Sequence, residues 1–153
     1  NHFLDGLKGT VFRQSQFAEF EHFMHEQDAK GQPLTAEFLS ENYQELNAKY
    51  YGPTVNSDSE IKNEWSRIPH FYMNYYVFQY ATGFAAATAF ADRIADGDAE
   101  ALNNYLGFLK SGKSQYAIDT MKTAGLDMTQ RDYIEQTLDV FEQRLAEFEA
   151  LLD

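Results

Sequence analysis

"RIPHFYMNYYVFQYATGFAAATAFADRIA" (residues 67–95) decides the fold. Pro69 disfavours helical geometry at Ile68, which makes "RIPH" a corner. Beyond it, the small residues Ala81, Gly83, Ala85, Ala86, Ala87 and Ala89 let neighbouring helices approach closely. The pattern predicts a buried central helix from about residue 72 to 95, closed by "DGD" at 96–98, where Gly97 stops one helix and the aspartates cap the next.

Working outward, helical periodicity recurs on both sides and strand alternation does not. Phe12, Phe17, Phe20, Phe23 and Met24 predict a helix from 10 to about 29, entered after Gly9 and stopped by "KGQP". Thr35 is placed to cap a second helix, whose side carries Phe38, Leu39, Tyr43, Leu46 and Tyr50 and which ends at Gly52-Pro53. A short helix over 59–65 leads to the corner. Downstream, 99–109 carries Leu102, Leu106 and Leu109, and "KSGKS" is a loop in which Ser114 can cap a short helix running to Gly125. Thr129 with Asp132 approximates a capping box for a last helix striped by Ile134, Leu138, Phe141, Leu145, Phe148 and Leu152. The expectation is an all-α fold.

A chain of 153 residues with 44% hydrophobic and 16% aromatic residues is the size of one domain, 1–153, and has ample surface to bury against the entropy of ordering. Twelve Lys and Arg against 24 Asp and Glu give a net charge of -12, which repels phosphate backbones and anionic lipid. Nucleic acid and membrane are therefore poor partners. The absence of cysteine removes disulfides and thiolate metal sites and suits a cytoplasmic location. The first residue is Asn1 and no capped leader opens the chain, as expected of a piece of something longer.

Motifs for metal or phosphate are incomplete. "HEQDA" at 25–29 starts like H-E-x-x-H, but the second histidine is Ala29. His22 and His25 give the order H-x-x-H-E, with the glutamate misplaced for zinc peptidase chemistry. Glu19 and His22 form one Glu-x-x-His pair where a di-iron bundle needs two. A solvated acidic helix face carrying two histidines accounts for this region. "KSGKS" lacks the spacing that wraps a phosphate, and the acidic C-terminal stretch reads as a helix face in water.

The corner is different. His70, Tyr72, Tyr75, Tyr76 and Tyr80 crowd into eleven residues. Phe71, Tyr75, Phe78 and Thr82 fall at steps of three and four, so core packing is one reading. The other is a site, because buried hydroxyls and an imidazole need partners and they gather at a helix start where backbone amides point outward. Phenol and imidazole donors there suit a peptide carbonyl that becomes an oxyanion.

"FRQSQFAEFE" (12–21), "GQPLTAEFL" (31–39), "KYYGP" (49–53), "RIPHFYMNYYVFQYATGFAAA" (67–87) and "FLKSGKSQYAIDTMKTAGLDM" (108–128) together resemble, in order, the C-terminal part of the oligoendopeptidase F family, the bacterial branch of the thimet-type oligopeptidases. The likeness covers nearly the whole chain from about residue 8. It implies an all-helical zinc metallopeptidase catalytic domain acting on short peptides, with zinc bound upstream of this segment and none on this chain. It further implies that His70 and Tyr72 bind the substrate backbone and that Tyr75 or Tyr76 donates to the oxyanion; Phe78 departs from the tyrosine many relatives carry there. The missing N-terminal portion of the same enzyme is the implied partner, and the fragment alone is expected to be inactive and to self-associate. An inert helical interaction module with an aromatic core is the alternative.

Overall fold

The computed structural model describes residues 2–152. Among them there are seven α-helices and no strand: α1 (His2–Leu7), α2 (Arg13–Ala29), α3 (Ala36–Tyr51), α4 (Phe78–Ala95), α5 (Ala99–Ser111), α6 (Ala117–Thr123) and α7 (Asp132–Glu149). A wide π turn (Lys8–Phe12) joins α1 to α2, and two 3-10 turns (Ile61–Arg67 and Pro69–Tyr72) precede α4. The chain is all-α, as its periodicity predicts. The helix expected to begin at residue 10 is thus preceded by helical backbone, the extra residue of the π turn being absorbed around Gly9. The described residues fall into two compact units, residues 8–81 and residues 82–152 with 2–7.

In the unit of residues 8–81, α2 packs on α3 and α3 on the first 3-10 turn. Phe17 and Phe20 from α2, Leu39 and Tyr43 from α3, and Ile68 and Val77 from the corner make its core. Phe20 meets Tyr43 edge to face at 5.0 Å, a favoured arrangement of ring quadrupoles. Thr35 caps α3 by accepting from the Phe38 N–H, and Gly52 ends it in the left-handed region, as the sequence predicts.

In the other unit, the small face of α4 is the centre. Ala85, Ala86, Ala89 and Phe90 pack with Ala124, Leu126 and Tyr133. The buried Thr137 hydroxyl donates to the Tyr133 carbonyl at 2.8 Å and lies 3.0 Å from the Ala85 carbonyl, an approach that alanine permits. Ala81, named with them on sequence, is only half-buried, and Gly83 and Ala87 face outward. Asp98 caps α5 through the Glu100 and Ala101 amides as expected.

Three expectations need correction here. Ser114 does not cap α6, which starts at Ala117 after Tyr116 with no side-chain cap. Thr129 does not cap α7; its amide and hydroxyl both turn back to the Asp127 carboxylate at 2.9 and 2.6 Å, and that competing local turn delays the helix to Asp132. The leucine stripes of the last two long helices are not the faces that pack. On α5 the inward side is Ala101, Tyr105 and Phe108, whereas Leu102, Leu106 and Leu109 are exposed. On α7 Tyr133 and Thr137 are buried and Ile134 of the expected stripe packs on the same core, whereas Leu138 and Leu145 are exposed.

Candidate functional site

The corner is built in steps. Pro69 opens a single 3-10 turn, Pro69–Tyr72, which carries His70 and is closed by the Met73 N–H donating to the His70 carbonyl at 2.9 Å. Asn74 and Tyr75 then enter the left-handed region, with φ of 48° and 60°. A helix cannot run through two such residues, so α4 starts at Phe78 and not at the expected 72. The same break undoes the helical register of Phe71, Tyr75, Phe78 and Thr82: Phe71 packs into the core, while Tyr75 and Phe78 remain exposed. Asparagine adopts this region readily, but for Tyr75 it costs about 1–3 kcal/mol, and this strain sits where the aromatic donors are.

What brings the chain to this corner is a charged knot beneath it. Glu64, almost wholly buried, accepts from the Tyr43 hydroxyl at 2.7 Å and pairs with both Arg13 and Arg67 at 2.5 Å. Burial alone would raise its carboxyl, yet the Tyr43 hydroxyl and Arg13 hold it below the usual carboxylate range. Burial and the same carboxylate push the Tyr43 phenol well above its ordinary value. Arg67 leads directly into Ile68, Pro69 and His70, so the knot fixes the start of the turn.

Three aromatic side chains converge on the far side of that turn. The His70 ring stacks on Tyr76 with centroids 5.5 Å apart and planes at 10°, and Tyr80 meets both edge-on at 5.5 and 5.6 Å. The Tyr80 hydroxyl lies 3.3 Å from His70 Nε2. A hydrogen bond with Tyr76 raises the Tyr80 phenol above its ordinary value. Tyr76 and Tyr80 are each 37% exposed, and Tyr72, at the end of the turn, is 84% exposed. Rings this open are not core.

Tyr75 takes another direction. Its N–H donates to Glu21 Oε1 at 2.6 Å, its ring stacks on His25 at 4.4 Å, and its hydroxyl lies 3.3 Å from His22 Nδ1. The structure therefore joins His70 to Tyr76 but separates Tyr75 and Tyr72 from them. Tyr80, counted on sequence among the crowded donors but given no role there, is the third member of the cluster; its spacing of four from Tyr76 was the available signal. Backbone amides play a smaller part than expected, since the Gln79 and Tyr80 N–H groups donate to the Tyr76 and Val77 carbonyls. Side chains are the open donors of this corner.

The nearby acidic helix face behaves as read from the sequence at Glu19, which is exposed and bonded to Lys49 at 2.7 Å and Tyr50 at 2.8 Å. Glu21 does not, being 1% exposed. Among the described residues no group of three or more His, Asp or Glu side chains is arranged to hold a metal ion. Zinc does not fit onto the residues described, and no described helix is long and apolar enough to cross a membrane.

The pattern of Peptidase family M3 matches residues 1–140, and the chain belongs to that family. It is 56% identical over 152 residues to the group B oligopeptidase PepB of Streptococcus agalactiae, covering 99% of this chain and 25% of that protein. Against the plasmid oligoendopeptidase F of Lactococcus lactis subsp. cremoris it is 52% identical over 153 residues, covering 100% of this chain and 26% of that one. The crystal structure of oligoendopeptidase-F from Enterococcus faecium superposes with a TM-score of 0.96 at 65% identity, covering 100% of this chain and 29% of that chain. The chain spans about a quarter of the length of the curated relatives it matches.

Proposed function

We propose that this chain is one wall of the substrate cleft of a zinc metalloendopeptidase that hydrolyses short peptides, with the metal held by residues outside the chain. His70 and Tyr72 bind the peptide backbone, and the tyrosines after them, Tyr75 and Tyr76, are the candidate donors to the carbonyl oxygen as it gains charge. Hydroxyls fixed beforehand and aimed at that oxygen stabilise the transition state more than the ground state. The observation that carries the reading is the open cluster of His70, Tyr76 and Tyr80, three polar aromatic groups braced on one another and exposed on one side. Its exposure also argues against an inert module in which these rings are core.

The experiment is an assay of the longer protein that contains this chain. Short fluorogenic peptides and a folded protein are offered with and without a chelator. Cleavage of the short peptides alone, abolished by the chelator and restored by zinc, is the expected result. Failure to cleave peptides with zinc supplied, or cleavage indifferent to chelation, overturns the reading.

A further inference from the structure

Tyr75 and Tyr76 are adjacent, yet they are held by different parts of the structure. Tyr76 lies against His70, whereas Tyr75 is attached to α2 at three points: the Glu21 carboxylate, the His25 ring and His22 Nδ1. Glu21 and His25 are one helical turn apart and so share a face of α2, with His22 beside them. A carboxylate that is 1% exposed needs a donor, and Glu21 has one 54 positions along the chain in a backbone N–H, not in a basic side chain. That N–H belongs to a residue whose φ of 60° is costly for a tyrosine.

Strain of this kind persists only where surroundings hold it. If Tyr75 relaxed to negative φ, the Cα of Tyr76 would swing and its ring would leave His70. We propose that Glu21 is a positioning residue: its bond to the Tyr75 N–H, with His25 and His22 gripping the ring, locks the left-handed segment and so holds Tyr76 as the oxyanion donor, Tyr75 serving as the clamp. This rests on the peptidase reading above and decides between its two tyrosines.

The test uses the full-length protein, steady-state kinetics on a short fluorogenic peptide, and hydrogen exchange over residues 73–77. Glu21→Ala lowers kcat by about a hundredfold, the usual cost of misplacing a catalytic group by an ångström, with little change in KM, and exchange over 73–77 accelerates. Glu21→Gln keeps an acceptor oxygen and recovers most of kcat. Tyr75→Phe, which loses the contact with His22 but keeps the Glu21 bond and the His25 stack, lowers kcat by much less than Tyr76→Phe does. Glu19→Gln, on the same helix but paired to Lys49 and Tyr50, leaves kcat unchanged. Should Glu21→Ala fail to fold, His25→Leu, which loses only the ring stack, shows the same kcat loss in smaller degree.

Near-normal kcat in Glu21→Ala with faster exchange overturns the proposal while leaving the peptidase reading intact. So does a Tyr75→Phe loss as large as that of Tyr76→Phe. If wild-type protein cleaves no peptide, the peptidase reading has failed and with it the catalytic part of this one; unchanged exchange in Glu21→Ala would then overturn the clamp as well.

Discussion

Replacing Glu64 by alanine should destabilise the protein by about 3–4 kcal/mol, because three partners lose the same acceptor. The worst affected is Tyr43, which is fully buried and would keep an unpaired hydroxyl at a cost of about 1–3 kcal/mol. Arg13 is partly open to water, with a side-chain exposure of 29%, so its loss is nearer 1 kcal/mol, and Arg67 at 69% contributes less still. The missing methylene adds about 0.8 kcal/mol. Urea unfolding reads the sum directly, and a melt should fall by roughly 10 °C for a chain of this size. Arg67→Ala is the internal control and should cost below about 1 kcal/mol. An Arg67→Ala loss equal to that of Glu64→Ala, or a Glu64→Ala loss under about 1 kcal/mol, would refute the claim that the buried tyrosine–carboxylate bond anchors the corner.

The same carboxylate gives the fold an acid limit. Its folded value lies below the ordinary glutamate value of 4.5, so its contribution is fully present above about pH 4.5 and is lost as pH falls through the lower folded value; Glu64→Gln should flatten that part of a stability–pH curve. The dialysed chain should carry no stoichiometric zinc by elemental analysis, and one tightly held zinc per chain would point back to Glu19, His22 and His25. The exposed Leu102, Leu106 and Leu109 of α5 should make the isolated chain self-associate, and Leu106→Lys with Leu109→Lys should return it to monomer in sedimentation; a wild-type chain that is already monomeric contradicts this.

Helix existence was legible wherever apolar spacing ran long, and caps were legible where the capping side chain had no rival: Thr35 and Asp98 act as their positions predict. Thr129 fails because Asp127, two residues before it, competes for both its amide and its hydroxyl. The leucines of α5 mislead for a different reason. Periodicity reports an apolar face without saying what covers it, and the face that packs here is built from Ala101, Tyr105 and Phe108. At the site, the concentration of donors after Pro69 was readable, but their division was not. Asn74 in "MNYYV" tolerates the left-handed region, but nothing local announces that Tyr75 follows it there; the Tyr75 N–H bonds to Glu21, which lies 54 positions earlier, and local propensity carries no term for so distant a partner. Nothing in the sequence singles Glu21 out from Glu19 on the same helix; burial of its carboxylate is what distinguishes it.

Tyr76, we propose, donates to the developing oxyanion from a cluster with His70. The direct test is kcat and KM of Tyr76→Phe in the full-length protein, alongside its melting temperature. The ring and its stack on His70 remain and only the hydroxyl is lost, so the account predicts a fall in kcat of about a hundredfold to a thousandfold, equivalent to about 2.7–4 kcal/mol, with KM and melting temperature nearly unchanged. A kcat within a few-fold of wild type, with the melting temperature lowered instead, would show that the hydroxyl serves the fold and not the reaction.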